Sequence, residues 1–311
     1  MSIWILKRLV FCTFLLISLN RVYAIDQGDL IITEWMANPN DLPDNEGEYF
    51  ELYNCSDEAI DIRGLFILDD GSDDHLIASD MPLVIGPGDF FVMGISDSPY
   101  IQADYVYSGI TLSNGADEIV IFDGLNEVCR ISYSDGDPFG AGVSCELNHI
   151  SNHNNGLSME SDYIAGSEPI AEYTDLGSPG TKGNTEGINS SVIADRLVIT
   201  SVNGNEKLQA NSDFFVYISL YDSLDQPVLS SDTLHLFLEV IYGSGQLSGS
   251  VYDTIFPNEK GSLLYPLAYS AAGDSVLMEV SCTNQSGLIS DTTQILFFFG
   301  LPSLVITEIF Y

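Results

Sequence analysis

LIITEWMANPNDLPDNEGEYFELYN, residues 30–54, carries the pattern that decides the fold. Leu30-Ile31-Ile32-Thr33 and Tyr49 to Tyr53 are short runs of β-branched and aromatic residues, and the stretch between them is rich in Asn, Asp and Pro. Such residues favour the pleated surface of a strand, and the intervening ones favour turns. Glu34 and Glu51 each sit inside an apolar run. A carboxylate there is expected to face outward; the alternatives are capping a neighbouring loop or finding a partner.

The same unit recurs along the chain. Phe90 to Met93, Ile119 to Phe122 and Val128 to Tyr133 are strand-like, and Gly86-Pro87-Gly88, Ser113-Asn114-Gly115 and Asp135-Gly136-Asp137-Pro138 punctuate them. Asn114-Gly115 suits a type I′ hairpin turn, whose two central residues need positive φ. No stretch keeps a helical period for long. Short strands at a spacing of roughly 8–12 residues point to an all-β sandwich or barrel. From Ser151 to Gly187 the chain is polar; it ends in Gly177-Ser-Pro-Gly-Thr-Lys-Gly183 and Asn184 to Ser191, the last part of which, 186–191, reads as a linker. A second β-rich block runs from Val192 to Gly300 and alternates in Phe214 to Tyr221 and Leu234 to Ile241. Leu304-Val-Ile-Thr-Glu-Ile-Phe310 then echoes Leu30 to Met36, as though the opening strand began again.

Lys7 and Arg8, an apolar stretch from Leu9 to Leu19, and Val22-Tyr23-Ala24 form the three regions of an export signal, with cleavage expected after Ala24. That apolar stretch is too short to span a bilayer, and no later run is longer than Ile295 to Phe299. The protein is therefore expected to be secreted or held at the cell surface, without a transmembrane span. Nine Lys and Arg against 45 Asp and Glu leave a net charge of −36. Such a surface repels phosphate backbones, which argues against direct nucleic-acid binding, and attracts divalent cations. Cys12 lies in the signal, and Cys55, Cys129, Cys145 and Cys282 remain, in no zinc-binding spacing. Cys129 and Cys145 lie in neighbouring strand-like runs and either pair or stay as buried thiols.

A series of short patterns in the first block resembles the bacterial lamin-tail domain. They are Ile32-Thr33-Glu34 before Asn38-Pro39; Glu48-Tyr-Phe-Glu-Leu-Tyr-Asn54; Ile62-Arg-Gly-Leu-Phe-Ile-Leu-Asp69; Pro87-Gly-Asp-Phe-Phe-Val92; Leu112-Ser-Asn-Gly-Ala-Asp-Glu-Ile119; Ile131-Ser-Tyr133; and Gly177-Ser-Pro-Gly180. Where the family often carries an Asp beside its apolar strand, this chain has Cys129-Arg130. The second block, through Asp222 to Val228 and Gly243-Ser-Gly-Gln-Leu-Ser-Gly249, resembles the immunoglobulin-like domains of invasin-type bacterial adhesins. The resemblances imply tandem immunoglobulin-like β-sandwiches. The expected division is a signal peptide at 1–24, a lamin-tail-like domain at 25–185, a linker at 186–191, an adhesin-like domain at 192–300 and the opening strand of another repeat at 301–311.

Chemistry-bearing constellations are few. His149 and His153 are four apart, but in an Asn/Ser-rich loop rather than on a helix face. Gly142-Val143-Ser144 lacks the second glycine of a nucleophile elbow. The best ion candidate is the carboxylate cluster Asp69, Asp70, Asp73 and Asp74 around Gly71, a possible calcium site without the spacing of an EF-hand; Asp135, Asp137 and Glu146 form a weaker one. No catalytic set emerges. The expected function is a non-catalytic binding or structural module of an exported multidomain bacterial protein, with an adhesion, stalk or scaffold role and a protein or carbohydrate ligand. The alternative is the accessory region of a secreted nuclease or phosphatase whose catalytic domain lies beyond Tyr311.

Overall fold

The computed structural model describes residues 25–188, 196–201, 208–222, 224, 226–284 and 289–300. The signal at 1–24, residues 189–191 of the linker and the repeat at 301–311 lie outside the described residues. The regular structure is almost entirely strand. In the first half these are β1 (Leu30–Met36), β2 (Tyr49–Asn54), β3 (Ile60–Asp61), β4 (Phe66–Leu68), β5 (Asp74–Leu76), β6 (Val84–Ile85), β7 (Phe90–Gly94), β8 (Tyr105–Val106), β9 (Asp117–Phe122), β10 (Glu127–Tyr133), β11 (Cys145–Leu147), β12 (Leu157–Met159) and β13 (Tyr163–Ala165). One helical turn, α1 (Asp44–Gly47), joins β1 to β2. In the second half come β14 (Arg196–Ser201), β15 (Leu208–Gln209), β16 (Phe214–Tyr221), β17 (Leu234–Tyr242), β18 (Leu247–Gly249), β19 (Tyr252–Ile255), β20 (Gly261–Tyr269), β21 (Asp274–Asn284) and β22 (Ile289–Gly300).

These strands form tandem immunoglobulin-like β-sandwiches. The first packs a sheet of order β13-β11-β1-β2-β7-β8 on one of order β12-β10-β9-β4-β5. Trp35 of one sheet stacks on Tyr133 of the other, ring centroids 4.3 Å apart, within a core that also holds Ile32, Phe50, Leu52, Ile121 and Ile131. The second packs β14-β16-β20-β18 on β15-β22-β21-β17-β19, with Val216, Ile218, Leu236, Leu264 and Phe299 at its centre.

A register shift between Ile32 and Glu34 shapes the first sheet. The extra residue, Thr33, lets Ile32 and Trp35 both face the core, where strict alternation would turn one away. It also sets Glu34 on the opposite face, directly across from Glu51 on β2 and Glu146 on β11. That face is not open to water. The segments around Tyr100 and Ile170 lie over it and form a second, smaller core with Met36, Tyr49 and Val92.

Two expectations change at this level, and one open alternative is decided. The chain is still packed where the linker at 186–191 is expected to start: Gly177–Gly183 crosses the outer face of the first sheet, and Ile188 is buried in the main core. Neither Asn114 nor Gly115 takes a positive φ, so the type I′ turn is absent. The turn is held instead by Ser113, whose hydroxyl accepts from the Gly115 N–H and whose own N–H donates to Asp117. Finally, Cys129 and Cys145 are free buried thiols, one on each sheet of the first sandwich.

Candidate functional site

The polar feature of greatest extent is the row Glu51–Glu34–Glu146 across β2, β1 and β11, each side chain 1% exposed. The expectation of outward carboxylates is corrected: they leave the main core but are buried beneath the strap of residues 177–184. A loop of Gly, Ser and Pro has little apolar surface, and its amides must be satisfied once water is excluded. The glutamates satisfy them. The Ser178 N–H donates to Glu34 at 2.9 Å, that of Gly180 to Glu51 at 2.6 Å and that of Asn184 to Glu146 at 2.6 Å. Side chains complete the set: Tyr49 donates to Glu34 at 2.5 Å and Thr33 to Glu51 at 2.6 Å. The Ser178 hydroxyl lies 2.9 Å from Glu34 and 3.2 Å from Glu146.

Burial among other acids raises all three carboxyls. Desolvation dominates in each, the hydrogen bonds pull down, and the neighbouring Glu34 charge adds to the rise of the other two. Glu146 is pushed up to about 7. The strap is fixed at its other end by Asp175, whose carboxylate accepts from the N–H groups of Asn40 and Asp41 and from the Tyr100 hydroxyl.

A second polar cluster lies where the two sandwiches meet. Lys260, at the start of β20's hairpin, reaches the Gly86–Gly88 turn of the first sandwich, donates to the Gly88 carbonyl and sits 4.0 Å from Asp89. Its ammonium also faces the rings of Tyr53 and Phe90, 5.8 and 5.4 Å from their centroids. Tyr217 of β16 donates to Asp89 at 2.8 Å. Burial lowers the Lys260 pKa and raises that of Asp89, while each charge partly restores the other.

The ion candidates are placed as follows. Asp69 Oδ1 accepts from the N–H groups of Gly71 and Asp73, closing the turn, and Asp70 takes a two-pronged ion pair from Arg130, 2.8 Å at its shorter contact. Asp73 closes onto Asp69 through the backbone, and Asp74 begins β5. Of the weaker cluster, Asp137 accepts from Asn38, while Glu146 points under the strap. His149 accepts from Ser151 and His153 from Gly156, as ordinary turn closures. Among the described residues no group of three or more His, Cys, Asp or Glu is placed to hold a metal ion. No described helix is long and apolar enough to cross a membrane.

Sequence reasoning singled out Glu34 and Glu51 but not Glu146 as their neighbour, because the register that aligns them depends on the Thr33 bulge. Lys260, Asp89 and Tyr217 went unnoticed. Their signal was the run Phe214-Phe-Val-Tyr-Ile-Ser-Leu-Tyr221, apolar or aromatic at nearly every position, which marks a strand covered on both faces.

No curated protein matches the chain. Among solved structures, WR4, a C. elegans MSP family member, is 8% identical with a TM-score of 0.24, the match covering 32% of this chain and 96% of that one. A glycosyl hydrolase family 2 member from Bacteroides cellulosilyticus is 9% identical with a TM-score of 0.25, covering 86% of this chain and 28% of that one. A Parabacteroides merdae β-glucuronidase is 8% identical at 0.24, covering 86% and 25%. The chain thus spans about a quarter of the length of these two enzymes. Residues 24–135, a span that includes β1 to β10, match the family model of the Lamin Tail Domain, an immunoglobulin-like, non-catalytic type of module.

Proposed function

We propose that the chain is a non-catalytic module of an exported or cell-surface multidomain protein, in which two sandwiches form a rigid spacer that carries a protein- or carbohydrate-binding surface. The observation that carries this reading is the burial of both faces of β16. Phe214, Val216, Ile218 and Leu220 fill the core of the second sandwich, yet the alternate residues Phe215, Tyr217, Ser219 and Tyr221 are buried as well. Two of these reach the first sandwich: Tyr217 donates to Asp89, and Tyr221 to the Asp57 carbonyl. A freely jointed pair would leave that face to solvent. With Lys260 plugged into the same seam, the arrangement resists bending, which suits a stalk.

Small-angle scattering of the mature chain, with and without Lys260→Ala, tests the rigidity. A single narrow distribution of interdomain distances in the parent, broadened in the variant, is expected; a broad distribution in the parent overturns the reading. Export has its own test. N-terminal sequencing of protein recovered from outside the cytoplasm is expected to begin at Ile25, and a soluble cytoplasmic form starting at Met1 refutes it.

A further inference from the structure

The glutamate row raises a question of proton accounting. Ser178 Oγ lies within hydrogen-bond distance of Glu34 Oε2, at 2.9 Å, and of Glu146 Oε1, at 3.2 Å. A serine hydroxyl has one hydrogen and can donate to only one of them. The second contact is favourable only when that carboxyl brings its own proton and the hydroxyl accepts it. Were both carboxyls ionised, a serine lone pair would face a buried negative charge.

No positive charge intervenes to remove the difficulty. The groups that face the row are Thr33 from β1, Tyr49 from β2, Ser144 beside β11, Ser178 from the strap, Glu168 from the segment before it, and behind Tyr49 the pair Tyr100–Asp175. All are neutral or acidic. Lys182, the strap's own cation, makes no ion pair among the described residues. With no basic side chain facing the row, a proton held on one carboxyl is what relieves the contact.

We propose that a proton shared along Glu34–Ser178–Glu146 latches the strap of residues 177–184 onto the first sandwich, and that its loss to solvent loosens the strap as the pH rises from mildly acidic to neutral. Loosening would uncover Tyr49 and Val92 on the outer face of the sheet, against which Gly177 and Gly180 of the strap now lie.

The sign follows from linkage. Glu146 has an ordinary value of 4.5 and about 7 in the closed form. Between these two values the closed form binds more protons than the open one. The latch is therefore at full strength below the window, weakens through it, and is lost above about 7. This is opposite to the behaviour of a salt-bridged carboxylate.

Amide hydrogen exchange on the full chain, measured from about pH 5 to pH 7 and corrected for intrinsic exchange, reads the latch directly. Protection of Ser178, Gly180 and Asn184 is expected to fall by up to about tenfold per pH unit, the limit for release of one proton. Amides of β9 and β10 are expected to stay flat. In Glu146→Gln the carboxamide N–H₂ donates to Ser178 in the proton's place, so the strap's pH dependence is expected to vanish with its protection retained. A flat profile in the parent, an equal fall in Glu146→Gln, or an equal fall throughout the sandwich overturns the proposal. Carbon-13 titration of the glutamate carboxyls in the parent needs no variant: a Glu34–Glu146 pair with a midpoint well above the ordinary range is expected, and both carboxyls fully ionised at about pH 5.5 overturns it.

Discussion

Replacing Lys260 by Met probes the seam between the sandwiches with little change in side-chain length. The ammonium is 8% exposed and lies 4.0 Å from Asp89, itself 27% exposed. Removing one partner of a fully buried pair costs about 3–5 kcal/mol, because the other charge is stranded. Asp89 is partly solvated and keeps the Tyr217 hydroxyl, so the expected loss is lower, roughly 1–3 kcal/mol. The methionine sulfur can also approach the Tyr53 and Phe90 rings that the ammonium now faces. Lys260→Met with Asp89→Asn removes both charges while leaving Tyr217 an acceptor, and is expected to recover most of the loss. Urea denaturation of the parent, the two single variants and the double variant gives the coupling energy. The single variant is expected to unfold in two separated steps if the seam is what joins the sandwiches. A coupling energy of zero, with one unchanged cooperative transition in all four proteins, would refute the claim that this contact holds the seam.

Three further outcomes follow from named contacts. At Gly86 an added methyl group would overlap the Tyr217 hydroxyl and Asp89, so Gly86→Ala is expected to cost about 1–3 kcal/mol and to be partly rescued by Tyr217→Phe; absence of rescue in the double variant counts against the close approach. Glu51→Gln is expected to be neutral or stabilising at pH 8, since it removes a buried charge while still accepting from Gly180 and donating to Thr33, whereas Glu51→Ala strands both partners and is expected to cost about 2–4 kcal/mol; thermal melts at pH 5 and pH 8 that show the two variants alike refute the assignment. For calcium at the 69–74 loop, which remains a proposal, Asp73 and Asp74 are the carboxylates left free of Arg130 and of the Asp69 turn closure. A small rise in melting temperature beyond that given by sodium chloride at matched ionic strength, lost in Asp73→Asn with Asp74→Asn, is expected, and equal shifts in the two salts dismiss the site.

Strand positions were legible because they rest on local chemistry. Phe214 to Tyr221 and Leu30 to Met36 are strands wherever they are placed, and β-branched and aromatic side chains leave little alternative. What lies across from what was not legible. A bulge at Thr33 shifts the facing of every residue after it, and nothing in Ile-Ile-Thr-Glu announces where the extra residue falls. Gly177 to Asn184 has the composition of a loose loop and is nevertheless fastened at three amides, because composition reports what a segment can bury by itself and not what acceptors wait beneath it. Asn114-Gly115 failed for a related reason: Asp117 and Ser113 offer the turn polar closures that need no positive φ.

The use of carboxylates as fasteners follows from what they hold. Covering the second face of a sheet with another sheet brings apolar side chains to bury. Covering it with a loop brings mainly N–H and C=O groups, and the N–H groups need acceptors. Backbone carbonyls of the sheet are already committed to its ladder, so the acceptor must come from a side chain long enough to stand clear of the pleat. Glutamate is long enough and offers two oxygens, and three of them in cross-strand register reach three amides along one strap. The cost is desolvation of acids side by side, which arginine or lysine could offset, but the strap's only basic residue is Lys182 and the segment under it has none. Apolar replacements would leave the amides stranded, and uncharged amides would bind regardless of pH. A row of glutamates is the arrangement that fastens the loop and leaves its hold responsive to protons.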